Sequence, residues 1–509
     1  MKSKTHPPFL GAAAMKPTAR CSGPLALALS CALLTACASV GPDYHEAPTL
    51  DVGSGWSAPL ASESRSADLA RWWQALNDPI LDRLMVTALA QNLDLRQAAA
   101  RIDEARALRD RVAGDRLPAV GAGASVNRRR QSENGPLPIG TIPGLDTTQT
   151  IYDAGFDAAW EVDLFGARRR ALEGASARLE ATEAEARGVR VRVIAEVARL
   201  WLEAVGTGNE LRMQEATRHT LQRNLELVQR RQAAGDASMG DVEAARAQWA
   251  SVDAALPGIQ ARQRAAVLAL GVLLGEPPER ELALLGAEPQ RHKLVAFPIG
   301  ERAELLRRRP DVQAAERKLA ASTADIGVAT AELFPKLSIG ANGGFQALGT
   351  GNWFDASSSR FSILPLISWR LFDGGRVRAE IRASNARQQQ AALAYEQAVL
   401  AALGDAERAL GEYHAGLDAL DRRRIAVDAA NASRSHALAR YEAGDIALTE
   451  LLAAERSMHE AETAAARAHT VAATQLVALY KALGGDWETP SPAAHVQRSG
   501  TDEGRRQYP

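Results

Sequence analysis

Cysteine is nearly absent. The 509 residues contain three, Cys21, Cys31 and Cys37, and none in the 472 that follow. That excludes a disulfide framework and a cysteine-rich metal site in the body of the chain. Long apolar runs are also missing: beyond residue 36 no stretch reaches the ~18 apolar residues of a transmembrane helix. A membrane protein with this sequence must therefore cross as a β-barrel or rest on an anchor. Charge of one sign is not in excess either. All 61 acidic residues and all but four of the 60 basic ones follow residue 36, so the remainder is close to neutral. No basic block points to nucleic acid. Catalytic signatures are missing too: no Gly-x-Ser-x-Gly, no phosphate-binding loop, no His-Glu-x-x-His. Eight histidines follow Cys37 without ligand spacing, and His436, His459 and His469 read as polar helix residues. No enzyme, metal or cofactor is expected.

What is present begins with an export signal over residues 1–36. Lys16 and Arg20 precede an apolar run, Leu25 to Leu34, too short to be a permanent membrane helix. Residues 1–14 add nothing that such a signal needs, so Met1 and Met15 are both candidate starts. Leu34-Thr35-Ala36-Cys37 resembles the bacterial lipoprotein box, in which cleavage precedes the cysteine and the thiol is acylated. The alternative is an ordinary signal cut after Ala36. Under the lipoprotein reading Cys21 and Cys31 leave with the signal and Cys37 takes lipid. Ala38, rather than an aspartate, follows the cysteine, which favours the outer membrane.

The chain also repeats itself. Asp94-Leu95-Arg96-Gln97-Ala98 matches Asp311-Val312-Gln313-Ala314 at an offset of 217, which Pro118 and Pro335 share. Trp160 in "WEVDLFGARR" matches Trp369 in "WRLFDGGRVR", and "RQAAGD" matches "RYEAGD", both at an offset of 209. A unit that long suggests a duplicated domain rather than a solenoid. The reading divides the chain into the signal (1–36), an anchored N-terminal segment (37–78), a first repeat (79–296), a second repeat (297–485) and a disordered tail (486–509).

Each repeat has one texture. Val189, Val193, Val197, Leu200 and Ala204 recur at spacings of three and four, the mark of one helix face. No proline interrupts residues 165–232, which predicts a helix roughly 100 Å long, and residues 376–442 match it. Gly235 and Gly444 end these stretches, and a second helix returns from each. Two long antiparallel helices joined by a tight turn predict a coiled-coil hairpin; Pro257 is expected to bend one returning helix. Ahead of each hairpin lie two segments of period two. In the first repeat Tyr152, Ala154, Phe156, Ala158, Trp160, Val162 and Leu164 oppose Asp153, Asp157, Glu161 and Asp163. In the second, Phe361, Ile363, Ile367, Trp369 and Leu371 oppose Arg360, Ser362, Ser368 and Arg370. Such strands have one apolar and one wet face and are long enough to cross a bilayer when tilted. Four strands cannot close a membrane barrel, which needs about eight or more. Several copies must then share one; three would contribute twelve strands.

With these elements in place, the chain resembles the TolC/OprM family of outer-membrane efflux channels, in the lipoprotein branch often called NodT-like. The resemblance covers nearly all of residues 37–485. It rests on "CASVGPDYHEAP", "WWQALNDPILDRLMVTALAQNLDL", "WEVDLFGARRR", "GVLLGEPP", "RRPDVQAAERKLAASTADIGVATAELFPKLSI", "WRLFDGGRVRAEI" and "RYEAGDIALTELLAAERS". It implies an α+β membrane protein: a homotrimer with a shared 12-stranded outer-membrane β-barrel on a long periplasmic α-helical barrel. It also implies docking to a periplasmic adaptor (membrane fusion protein) and to an inner-membrane pump, usually of the RND class. The pump supplies the energy, and the channel is a passive exit duct for drugs or other small molecules. The competing reading is a lipid-anchored periplasmic coiled-coil scaffold or adaptor without a pore.

Candidate functional residues follow. Asp153, Asp157, Glu161 and Asp163 form an acidic strand face that is either a lumen wall favouring cations or a wet surface that merely needs charge. The turns Arg231, Gly235, Asp236 and Arg440, Gly444, Asp445 are either helix caps or, as the resemblance implies, adaptor-docking tips. Relatives close the tip with carboxylate–arginine contacts. Arg456 matches the family arginine, and Ala453 stands where OprM-like relatives hold the gate carboxylate, leaving Glu450 or Asp445 to supply it.

Cys37→Ala tests the balance between barrel and anchor. A folded trimer should still reach the membrane fraction without acylation; full release into the periplasm would overturn the barrel expectation.

Overall fold

The described residues form two long helical hairpins, shorter helices and a four-stranded antiparallel sheet. The structure is a computed structural model that describes residues 39–46, 50, 53, 55–57, 71–132, 146–286, 292, 294 and 302–485. The elements run α1 (Pro79–Gln91), α2 (Leu93–Gly114), β1 (Ala119–Arg130), β2 (Thr148–Val162), α3 (Ala167–Ala233) and α4 (Met239–Leu273). Then follow α5 (Arg302–Arg308), α6 (Pro310–Ala331), β3 (Lys336–Ala347), β4 (Ser359–Ser368), α7 (Arg376–Glu442) and α8 (Leu448–Ala482). The two halves carry elements of matched length: α3 and α7 have 67 residues each, and α4 and α8 have 35 each. Of the described residues, those in 39–42, 113–132, 146–171 and 325–381 form a sheet unit, and the others form a helical unit.

In the helical unit the core gathers both halves. Ile194, Val197 and Trp201 of α3 meet Leu84 and Met85 of α1, Val267 and Leu270 of α4, Leu410 and Tyr413 of α7, and Leu476 and Leu479 of α8. The face expected from Val193, Val197, Leu200 and Ala204 is buried, and Val189 packs at its margin. Trp72 stacks on Tyr480 at 4.3 Å between ring centroids. Pro257 lies inside α4 without ending it.

A buried carboxylate pins the start of this core. Asp78 caps α1, accepting from the Ile80 and Leu81 amides at 2.9 and 3.1 Å. Its other oxygen accepts from Trp201 Nε1 at 2.6 Å and meets His292 Nε2 at 2.9 Å. Burial pushes the Asp78 carboxyl up, yet the bonds from His292, Trp201 and Leu81 together hold it below its ordinary value.

The two long hairpins turn in the same way. Gly235 and Gly444 have φ of 87° and 79°, a region open to glycine at little cost. Asp236 and Asp445 each donate a backbone N–H to the carbonyl five residues back, Arg231 and Arg440, at 2.8 Å, which closes the helix end. The helices that follow start differently. Ser238 accepts from the Asp241 amide, and the Asp241 carboxylate accepts from the Ser238 amide, so α4 opens on a reciprocal cap. At the corresponding start of α8 stands Ala447, which has no side-chain cap. The tip before α8 should therefore be the looser one. Ala447→Ser should stabilise it by about 0.5–1 kcal/mol and Ser238→Ala should cost the first tip about as much. Hydrogen exchange of the two turns reads both; equal protection in the unaltered protein would contradict this.

Candidate channel wall and hairpin tips

The sheet unit holds the strand order β1-β2-β3-β4, antiparallel throughout, so β1 and β4 are its edges. Register sorts the side chains into two faces. One face carries Val120, Ala158, Ala341 and Ile363 in one row and Ala122, Phe156, Gly343 and Phe361 in the next. This apolar face is open: Phe361 is 86% exposed and Ile363 71%. Tyr152 marks one end of the face beside Trp353 and Phe354. Trp160 and Trp369 mark the other, each donating its indole N–H at 3.0 Å, to the Arg116 and Leu333 carbonyls. Eight residues of β2 separate Tyr152 from Trp160, about 26 Å of strand, or about 20 Å of height at a tilt of about 40°, within the apolar band of about 25 Å between aromatic girdles in membrane barrels. β2 and β3 run unusually close at Gly155 and Gly344, where a Cβ on Gly155 would come within 2.6 Å of the Gly343 carbonyl oxygen.

The opposite face is polar. Asp153 sits across from Gln346, which donates to it at 2.9 Å. Arg360 reaches over β3 and grips Asp153 with two bonds, 3.1 and 2.7 Å, while its third donor takes Asn342 Oδ1 at 3.0 Å. Glu161 pairs with Arg168 at 3.0 Å. Asp157 is exposed. Asp163 departs from the expectation. β2 ends at Val162, opposite Leu337, one residue into β3, so the chain leaves the ladder there. The Asp163 carboxylate instead caps α3, accepting from the Arg168 and Arg169 amides at 3.1 and 2.9 Å. Arg370 likewise lies beyond the end of β4.

Cys37 lies outside the described residues. Close behind it, Val40 donates its N–H to the Phe165 carbonyl at 3.1 Å, and Arg170 Nε donates to the Val40 carbonyl at 3.2 Å.

In the helical unit, both turns place Asp236, Asp445, Gly235, Gly444 and Arg440 in exposed positions. Arg231 is bound to Tyr441, through its hydroxyl and with the guanidinium 5.7 Å from the ring centroid. Glu450 and Arg456 are exposed, and neither has an ion-pair partner among the described residues. Arg456 opens onto a cavity of about 760 Å³ together with Thr217, Gln248, His459 and Glu460. The neighbouring acid, Glu455, is the buried one and accepts from Asn224 at 2.8 Å. Gln248 donates to the Leu452 carbonyl at 3.1 Å, and Thr217 meets His459 Nδ1 at 3.1 Å. Burial pushes the His459 imidazole below its ordinary value. Tyr441, Asn224 and Glu455 carry no sequence signal of their own, because their partners stand 210 and 231 residues away.

The geometry has close counterparts. A family model described as outer membrane efflux protein matches residues 84–276 and 302–485. The pyoverdine export outer membrane protein OpmQ of Pseudomonas putida is 31% identical over 472 residues, covering 92% of this chain and 98% of that one. The outer membrane protein OprJ of Pseudomonas aeruginosa is 33% identical over 475 residues, covering 91% and 95%. The solved structure of the outer-membrane channel OprN superposes with a TM-score of 0.79 at 36% identity, covering 88% of this chain and 99% of that one. An open-edged amphipathic sheet, two capped helical hairpins and these matches along both halves give one conclusion: the chain belongs to the outer membrane efflux protein family and is an outer-membrane protein.

Proposed function

We propose that the protein is the passive outer-membrane duct of a tripartite efflux pump, a homotrimer whose three sheets close one twelve-stranded barrel. The observation that carries this reading is the sheet itself. Its apolar face is open along its length, and its edges β1 and β4 have no partner strand among the described residues. An apolar face of that extent marks a membrane or protein contact, and an open edge in lipid leaves backbone groups unpaired. Sharing a barrel answers both demands. The anchored segment at Cys37 would add a second membrane attachment. The helical hairpins would form the periplasmic tube, with the turns at Arg231–Asp236 and Arg440–Asp445 meeting a periplasmic adaptor and an inner-membrane RND transporter. The transporter would select the cargo and supply the energy, and the channel would do no chemistry.

Closure of the tube falls to the second hairpin in this reading. Arg456 lacks the partner carboxylate at position 453, where this chain has Ala453. Glu450 is at hand because Ala447 gives it no capping role, whereas Asp241, its counterpart in the first hairpin, is committed to Ser238. Glu450 and Arg456 stand six residues apart, off a common helix face, so their contact would run between neighbouring helices. The Arg231–Tyr441 bond ties the two tips of one copy.

Two measurements test these statements. The purified protein should run as a trimer that resists dissociation on a gel unless heated, and should conduct in a planar bilayer. A non-conducting monomer would favour the scaffold without a pore. Arg456→Ala and Glu450→Ala should each raise resting conductance by loosening the closed state by up to about 1 kcal/mol, without lowering trimer yield. Unchanged conductance in both would assign closure to apolar packing around Leu448 and Leu452.

A further inference from the structure

We propose that Asp157 alone, among the acids of the polar sheet face, sets a preference of the passage for cations over anions. The inference rests on the reading of that face as the inner wall of a barrel shared by several copies. Three of the four acids are already committed. Asp153 is held by both arms of Arg360 and by Gln346. Glu161 is paired with Arg168. Asp163 lies off the strand, capping α3, with Arg169 Nε at 3.7 Å. Each of these carboxylates carries its neutralising cation beside it, so at a distance each pair looks nearly uncharged.

Asp157 differs in partner, direction and surroundings. It has neither an ion pair nor a side-chain hydrogen bond among the described residues, and it is exposed. Its carboxylate leans away from Arg360, towards β1: both oxygens lie 3.1 Å from where a Cβ on Gly121 would stand. The row beside it is bare, because Gly123, Gly155 and Gly344 stand in register across three strands. The row on its other side is Ala119, Ala159 and Gly340, with Leu364 at its β4 end. Arg360, at the β4 end of the bare row, is the cation within reach of this region, and its donors go to Asp153 and Asn342. An unpaired carboxylate thus stands among small residues on β1 and β2, with Asn342 opposite on β3 already taken by Arg360. Repeated by symmetry, it would form a ring of like charge facing the lumen. Low-dielectric walls focus such a field, concentrating cations and depleting anions. The effect depends on ionic strength, because the screening length falls from about 30 Å at 0.01 M to about 3 Å at 1 M.

The test is the reversal potential of the purified trimer in a planar bilayer under a potassium chloride gradient, at low and at high salt. The unaltered channel should prefer potassium at low salt and lose most of that preference at 1 M. Asp157→Asn should lower the cation-to-anion permeability ratio by about five-fold at low salt. The double variant Asp153→Asn/Arg360→Gln, which removes a balanced pair, should leave the ratio unchanged. Gly121→Lys, which keeps Asp157 but places an ammonium beside it, should reproduce the loss, and it covers the case in which Asp157→Asn fails to assemble. An unchanged ratio in a conducting Asp157→Asn or Gly121→Lys channel overturns the assignment, as does a loss in the double variant equal to that of Asp157→Asn. Absence of any conductance in the unaltered trimer would instead defeat the reading of the face as a channel wall.

Discussion

In hydrocarbon there is no water to satisfy a backbone N–H or carbonyl, and each one left unpaired costs several kcal/mol. The edges of the sheet are therefore the constraint on which the rest depends. β1 and β4 present two such rows, on either side of an apolar face that ends in aromatic side chains. Within one copy no further strand among the described residues covers them. Halves of matched element length supply two strands and a hairpin each, and in the proposed reading equal copies would supply the remaining strands. The same economy explains why the chain needs no apolar helix: none is long and apolar enough among the described residues to cross a membrane.

Polar chemistry is distributed accordingly. Where carboxylates are buried in the helical unit they are hydrogen-bonded, as with Asp78 and Glu455, because a buried polar group without a partner would be costly. Glu210 shows the same rule, taking Arg262 at 3.1 Å and Arg467 at 2.6 Å and so joining α3 to α4 and α8. On the polar face of the sheet most charges are paired as well, which sets Asp157 apart. At the second tip the missing cap at Ala447 leaves Glu450 without a local task, so a position that is structural in the first half is open to another use in the second.

Much of this was legible in the sequence, for identifiable reasons. Period two over residues 152–162 and 361–367 reported strands because one face meets apolar surroundings and the other water. The unbroken stretch after Gly166 and the glycines at 235 and 444 reported the hairpins, because both signals are local. Asp163 shows where the pattern misleads. Alternation continues one step past the ladder, but β2 leaves β3 at Val162, one row short of Lys336, and the carboxylate turns to the free amides of α3. Tyr441 with Arg231, and Asp78 with His292, were not legible at all. These pairs are made across 210 and 214 residues, and nothing in their local sequence marks them.

The shared barrel is tested most directly by its edges. Val120 in β1 and Ile363 in β4 lie in one row of the apolar face, three strand spacings apart, about 14 Å within one copy. The body of the chain has no cysteine after Cys37. Ile363→Cys, paired in turn with Val120→Cys, Ala122→Cys, Ala124→Cys or Val126→Cys because closure staggers the register between copies, can then be treated, in the Cys37→Ala background, in outer membranes with a bifunctional maleimide of ~8 Å span, too short to bridge three strand spacings. The account predicts, for at least one of these pairs, a covalent ladder that ends at the trimer on a denaturing gel. Monomer bands alone for every pair, with both thiols modified, would contradict the closure of one barrel by several copies.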